Sequence, residues 1–198
     1  MKNSEFYIQD FKYLIDEDFD ISFIPLMIRR KLSSVDKYAI KTLSHFQDKQ
    51  FDELIYSSRY GELERLFKLI DQYLDSNEVS PNLFSCSVHN YLIGLYSQLN
   101  KITNSYTALS AENNSFSMGL LKSIISNNEN KLYCYVNKDN DVIKAISYII
   151  SNTSGNIKCR LQKTNSAQTI NEFDSFKDFL DNKIQKINFN CYSIERIN

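Results

Sequence analysis

Histidine and cysteine are the scarce, chemically able residues of this 198-residue chain: two histidines, His45 and His89, and four cysteines, Cys86, Cys134, Cys159 and Cys191. Cys86 precedes His89 by three residues in Cys-Ser-Val-His. On a helix that spacing sets a thiol beside an imidazole, the arrangement an activated cysteine needs. The segment reads as a strand-to-helix junction, where such geometry is not enforced, so a structural role for His89, bonding backbone in a turn, is the preferred reading. His45 ends an amphipathic stretch and reads as a surface or C-terminal capping residue. The isolated histidines and unpaired cysteines build no zinc-ligand spacing, so no metal is expected. Neither G-x-G-x-x-G nor G-x-x-x-x-G-K-[ST] occurs, four glycines make a phosphate-cradling loop improbable, and no G-x-S-x-G is present. No cofactor is expected.

One layout is of interest without its chemistry. Ser105–Ser110 reads as a strand, Ala111-Glu112-Asn113-Asn114 as a sharp turn, and Phe116, Leu120 and Ile124 as one stripe of a helix with the small residues Gly119 and Ser123 between. Strand, tight turn and helix with a small-residue face is how a nucleophile elbow presents a side chain at a helix N-terminus. Around it, the spacing of Ile28, Leu32, Val35, Ala39, Leu43 and Phe46 predicts one helix from Pro25 to about His45 or Phe46. Its start carries Arg29-Arg30-Lys31, read as a solvated face. Leu54–Ser57 predicts a buried strand, Leu63–Leu74 a helix, and Leu92–Leu99 another, with Asn90 or Ser87 as its cap. Leu132–Val136 reads as a strand, followed by Ala145–Ile150 and Ile157–Gln162, joined as a hairpin by Ser151–Asn156. Phe173, Phe176, Leu180 and Ile184 space a last helix, and Lys186–Ile194 a half-buried closing strand. Residues 1–20 are read as an acidic stretch with no apolar run fit for a signal peptide. Strands interleaved with helices give an α/β fold in a single domain, 1–198.

Composition narrows the partners. Lys and Arg total 23 against 24 Asp and Glu, a net charge of −1, so no global field recruits nucleic acid or an anionic membrane. No apolar run is long enough for a membrane span. The spacing of the cysteines suits buried thiols in a reducing compartment, and the expected location is the cytoplasm. Aromatic residues make up 13 % of the chain, all Tyr and Phe, so the core is expected to be rich in rings.

Three segments together resemble the β-ketoacyl synthase-like N-terminal domain family: Ile28-Arg29-Arg30-Lys31-Leu32-Ser33, Ser57-Ser58-Arg59-Tyr60-Gly61-Glu62-Leu63, and Ser80-Pro81 through Phe84-Ser85-Cys86-Ser87-Val88-His89-Asn90 to Gly94. Ala108–Glu112 and Ser115–Leu121 fit that family's elbow, and the resemblance is clearest over residues 20–150. It implies the N-terminal half of a thiolase-like (ketosynthase) fold, a mixed sheet with helices, here with a C-terminal hairpin, helix and strand extension. It also implies a role like that of chain-length-factor partners of ketosynthases in bacterial aryl-polyene and flexirubin-type clusters, working on acyl carrier protein-bound chains.

An active member bears a cysteine at the elbow and two histidines from a C-terminal half. Here the elbow carries Ala111, Glu112 and Asn113, so the resemblance implies a non-catalytic subunit pairing with an active ketosynthase. Tyr106, Ser110, Phe116 and Met118 are the residues expected to face the partner or its tunnel, and Arg29, Arg30 and Lys31 those expected to meet an acidic carrier protein. A homodimer is a further option. Two other readings stay open: an acyl-transfer or hydrolytic enzyme using Cys86 with His89, and a scaffold that binds carrier protein alone.

Overall fold

The computed structural model describes residues 4–164 and 171–197. Its centre is an eight-stranded sheet: β1 (Ser4–Ile15), β2 (Glu53–Ser57), β3 (Ser105–Leu109), β4 (Asn130–Asp139), β5 (Val142–Ser151), β6 (Ile157–Lys163), β7 (Lys186–Asn188) and β8 (Tyr192–Arg196), in the spatial order β3-β2-β4-β5-β1-β6-β8-β7. β2 runs parallel to both β3 and β4, and every other pairing is antiparallel. The helices are α1 (Leu26–Arg29), α2 (Ser34–Ser44), α3 (Leu63–Ser76), α4 (Pro81–Ser87), α5 (Tyr91–Leu99), α6 (Ser115–Ile125) and α7 (Glu172–Leu180).

Strand alternation sends side chains to two separate cores, one on each face of the sheet. Leu54, Tyr56, Leu132, Cys134, Val136, Ala145 and Ile149 meet α2 and α5 on one face. Ile55, Tyr133, Tyr135, Ile146, Tyr148 and Ile150 meet α6 and α7 on the other. The second core is the aromatic one expected from composition. Phe116 lies 5.2 Å, centroid to centroid, from both Tyr135 and Phe176, and Tyr148 lies 5.0 Å from Phe176.

Several elements depart from the sequence reading. The acidic N-terminal stretch is in fact β1, an interior strand between β5 and β6. A bulge between Ile8 and Asp10 shifts its register by one residue. Phe6 and Ile8 before the bulge and Phe11, Tyr13 and Ile15 after it therefore all face the aromatic core. Because β1 inserts there, Ser151–Asn156 does not close a β5–β6 hairpin. The helix expected from Pro25 onward is two helices, for Ser33 interrupts it with a capping box: its hydroxyl accepts from Asp36 N at 3.0 Å while Asp36 accepts from Ser33 N at 2.9 Å. Cys86 and His89 sit at a helix–helix corner between α4 and α5, not at a strand end. The α5 start has Asn90 at its cap position without a side-chain bond. The single closing strand is the hairpin β7–β8. The hairpin's turn leaves Cys191 exposed, whereas Cys86, Cys134 and Cys159 are buried. Among the described residues no helix is long and apolar enough to cross a membrane.

Candidate functional site: a pinned elbow

β2 is buried along its whole length between β3 and β4, so its C-terminal end and that of β3 are fixed by parallel neighbours. The chain leaves β3, bends at Ala111, makes one 3₁₀ turn over Glu112–Asn114 and enters α6. Glu112 holds φ +49°, the left-handed region that a side chain bearing Cβ enters at a cost of about 1 kcal/mol. Local hydrogen bonds hold the bend. Ser115 Oγ accepts from Ala111 N at 2.9 Å and donates to Glu112 O at 2.7 Å, while Asn114 N donates to Ala111 O at 2.9 Å. Ser110 Oγ donates to Arg59 O at 3.0 Å, tying the elbow to the loop after β2.

Long-range contacts fix the start of α6 against the rest of the fold. Glu172, first residue of α7, accepts the Ser117 N–H at 3.1 Å. Its carboxylate thus occupies the electropositive end of the helix. Tyr192 OH donates to Ser117 O at 2.5 Å, and Tyr133 OH donates to Phe116 O at 2.9 Å. Gly119 sits where a Cβ would run into the Tyr133 ring and come within 2.7 Å of Ser57 Oγ. Only a residue without a side chain lets α6 lie this close to β2 and β4. Beside the elbow opens a cleft of about 880 Å³ with Arg59, Lys144, Glu112, Glu172, Asn137 and Asn171 on its walls. Lys144 is already paired, 2.7 Å from Asp174.

The histidines are occupied elsewhere. His89 Nε2 lies 2.9 Å from Leu109 O, the last carbonyl of β3, and its ring packs 5.4 Å from Tyr56. Gly61, at φ +52°, leaves room for that ring, since a Cβ there would stand 2.6 Å from His89 Nδ1. The Cys86 thiol instead meets the Tyr91 hydroxyl, and the Cys86 carbonyl accepts from Arg65 Nη1 at 2.8 Å. His45 caps α2 and lies 3.0 Å from Asp10 on β1. Burial pushes the Cys134 and Cys159 thiols up to about 12, which leaves no thiolate at neutral pH. Among the described residues no group of three or more His, Cys, Asp or Glu could hold a metal ion.

Of the residues expected to face a partner, Tyr106, Ser110 and Met118 are exposed. Phe116 is not: it is 2 % exposed and belongs to the aromatic core, because the elbow turns the first apolar residue of α6 down onto the sheet. Glu112 and Asn113 are exposed at the tip, and Ala111 is half-buried. Arg30 and Lys31 are exposed and Arg29 half-buried, well apart in sequence from the elbow.

A second cluster was missed from sequence. Arg65 of α3 lies 2.8 Å from Asp36 Oδ2 and 3.1 Å from Glu62 Oε2, and it also donates to the carbonyls of Lys31 and Cys86. Ser33 Oγ donates to Glu62 Oε1 at 3.0 Å. Burial, then the neighbouring Asp36 carboxylate, push Glu62 up to about 8. The cluster clasps α1, α2, α3 and α4 together. In the sequence, only the Ser33–Asp36 capping spacing hinted at it.

Residues 9–185 match the family described as β-ketoacyl synthase, N-terminal domain. The chain belongs to this family. The match extends beyond residues 20–150 at both ends and takes in β1 from Gln9 onward and all of α7. No curated protein matches the chain. Among solved structures, a chain in the complex of a ketosynthase (ApeO) with its chain length factor (ApeC) from Xenorhabdus doucetiae superposes with a TM-score of 0.75 at 21 % identity. The superposition covers 96 % of this chain and 99 % of that one. A β-ketoacyl synthase from Burkholderia phymatum STM815 superposes with a TM-score of 0.55 at 10 % identity, over 77 % of this chain and 53 % of that one. The chain therefore has the ketosynthase, thiolase-like α/β fold and spans about half the length of the Burkholderia protein.

Proposed function

We propose that this protein is a non-catalytic, chain-length-factor-like subunit that pairs with an active 3-oxoacyl-acyl-carrier-protein synthase and helps shape the pocket receiving the growing chain, in biosynthesis of the aryl-polyene or fatty-acid type. The observation that carries the reading is the elbow: its bend is kept and pinned, yet no thiol or imidazole stands at its tip. Acyl transfer needs a nucleophile and donors for a developing oxyanion. Here Ala111, Glu112 and Asn113 stand at the turn, and the Glu172 carboxylate already takes the Ser117 N–H.

The edge of the sheet supports a partner. β3 is one of the two edge strands, with Ser105 and Tyr106 exposed and, among the described residues, no strand paired on its outer side. An open edge is a ready surface for another chain. It leads directly into the elbow, so a partner on β3 would also meet Glu112, Asn113 and Met118. The complex of ketosynthase with chain length factor among the structural neighbours supports the same pairing. The basic run Arg29-Arg30-Lys31 is assigned to an acidic carrier protein.

Co-expression with an active ketosynthase from the same organism tests the reading. The two proteins are expected to copurify as a 1:1 complex and a Tyr106→Asp variant to lose the partner. A monomer that copurifies with none of that organism's ketosynthases refutes it.

A further inference from the structure

α3 is an amphipathic helix turned the unusual way. Leu63, Leu66, Phe67, Ile70 and Leu74 follow the i, i+3, i+4, i+7 spacing of a core-facing stripe. Yet Arg65 and Leu69 are its only buried residues, whereas Phe67 is 56 % and Leu74 75 % exposed. Tyr73 beside the stripe, and Phe84 on the packed neighbour α4, are exposed too. So many large apolar side chains in one place on a surface mark an interaction site. The clasp around Arg65 explains the orientation: the guanidinium, with Asp36 and Glu62, fixes the polar side of α3 inward and the apolar side outward.

The charges beside the stripe select its occupant. Asp71, Asp75 and Glu78 stand exposed beside Lys68, the one lysine of α3, while Glu64 at the N-terminal end is already paired with Lys138 at 2.6 Å. An anionic lipid surface and an acidic carrier protein are repelled by this rim. A second copy laid α3 to α3 sets acid against acid. At the N-terminal end of the stripe a cavity of about 320 Å³, floored by Val35, Leu63, Tyr60 and Phe67, has room for one large apolar side chain.

We propose that the outward face of α3 and α4 is a docking groove for a basic amphipathic helix of a partner protein, whose apolar stripe covers Leu66, Phe67, Ile70 and Leu74 and whose Lys and Arg residues meet the acidic rim. It rests on the reading of the chain as a subunit of a larger assembly, but not on the β3 edge.

The full chain is titrated, by fluorescence anisotropy at fixed ionic strength, with a labelled 18-residue Leu/Lys amphipathic peptide and with its Leu/Glu counterpart. The Leu/Lys peptide is expected to bind at least tenfold tighter. Ile70→Asp, a surface change checked for folding by circular dichroism, should weaken it at least tenfold, and the double variant Asp71→Lys/Asp75→Lys should reverse the preference. Tyr106→Asp, which breaks the ketosynthase pairing, should leave peptide binding unchanged, so the two interfaces fail separately. Binding indifferent to peptide charge, or unaffected by Ile70→Asp, overturns the proposal. So does self-association abolished by Ile70→Asp, which gives the groove to a second copy, or equal binding to phosphatidylglycerol vesicles, which gives it to a membrane.

Discussion

Replacing Glu62 with Gln reports directly on the clasp beneath α3. Two buried carboxyls, Asp36 and Glu62, share one guanidinium, so with both ionised the cluster carries an uncompensated negative charge away from water. A proton on Glu62 removes that charge and supplies a donor for Asp36 Oδ1, which otherwise has no partner among the described residues. The groups facing Glu62 are Asp36 from α2, Arg65 from its own helix, the Ser33 hydroxyl, and Tyr56 from β2. In the unfolded chain Glu62 titrates near 4.5, and in the fold at about 8. Below 4.5 both states hold the proton and nothing is lost. Between 4.5 and about 8 the unfolded chain releases it while the fold retains it, so stability falls as pH rises; above 8 the full penalty stands. At ~1.4 kcal/mol per pH unit the ceiling is ~5 kcal/mol, and structural relaxation brings the expected loss to roughly 2–3 kcal/mol.

Glu62→Gln keeps the shape and a donor but cannot ionise. Urea unfolding of both proteins from pH 4.5 to 9, at constant ionic strength, isolates the group, since every other titration is common to both. The variant should gain roughly 2–3 kcal/mol relative to the wild type across this range, or about 4–12 °C in Tm for a chain of this size. A stability difference that is flat in pH, or that moves in the wild type's favour as pH rises, refutes the reasoning.

Lys131 carries the opposite sign. Its buried ammonium, donating to the carbonyls of Asn128 and Glu129 and to Asn152 Oδ1, is pushed down by burial to about 8 from 10.5. Its penalty is therefore full below 8 and relieved between 8 and 10.5. The stability of Lys131→Met relative to wild type should fall by ~1–2 kcal/mol, discounted for screening, across that window, as read by denaturant unfolding. Gly119→Ala drives a methyl into Tyr133 and Ser57 and should cost ~2–4 kcal/mol; Tyr133→Phe in the same chain should return part of it, and a neutral Gly119→Ala would disprove the close approach of α6. In thiol labelling of the native protein with iodoacetamide, exposed Cys191 should react first, and Cys134 and Cys159 only on unfolding. Fast labelling of Cys86 would instead favour an enzyme using Cys86 with His89.

What the sequence disclosed was local. β2 is a short apolar run, and the β3–turn–α6 elbow is a strand signal, a polar turn and a helical stripe in direct succession, so both could be placed from neighbours alone. β1 could not. Its bulge moves the apolar positions from Phe6 and Ile8 to Phe11, Tyr13 and Ile15, which erases the period of two that marks a strand. Ser151–Asn156 has good turn chemistry, but whether β5 and β6 pair is decided by β1, far earlier in the chain, which claims the place between them. The same distance effect hid Glu172, whose bond to Ser117 spans 55 residues, and the Arg65 clasp, which joins side chains from separate helices. The helical period of α3 was plain, but which of its faces lies inward is set by that clasp.

The elbow's energetics argue that its shape, more than its chemistry, is what the fold maintains. Glu112 sits at a positive φ that glycine would adopt without strain, and the bend survives because the surroundings over-determine it. Ser115 and Ser110 bond across it, Tyr133 and Tyr192 hold the carbonyls of Phe116 and Ser117, and Gly119 lets α6 sit hard against the sheet. His89 binds the carbonyl of Leu109, so the imidazole fixes the strand leading into the turn. Each of these contacts limits motion at the tip while none supplies a nucleophile. A rigid, exposed prominence at the open edge of a sheet is suited to presenting a fixed contour to a second chain.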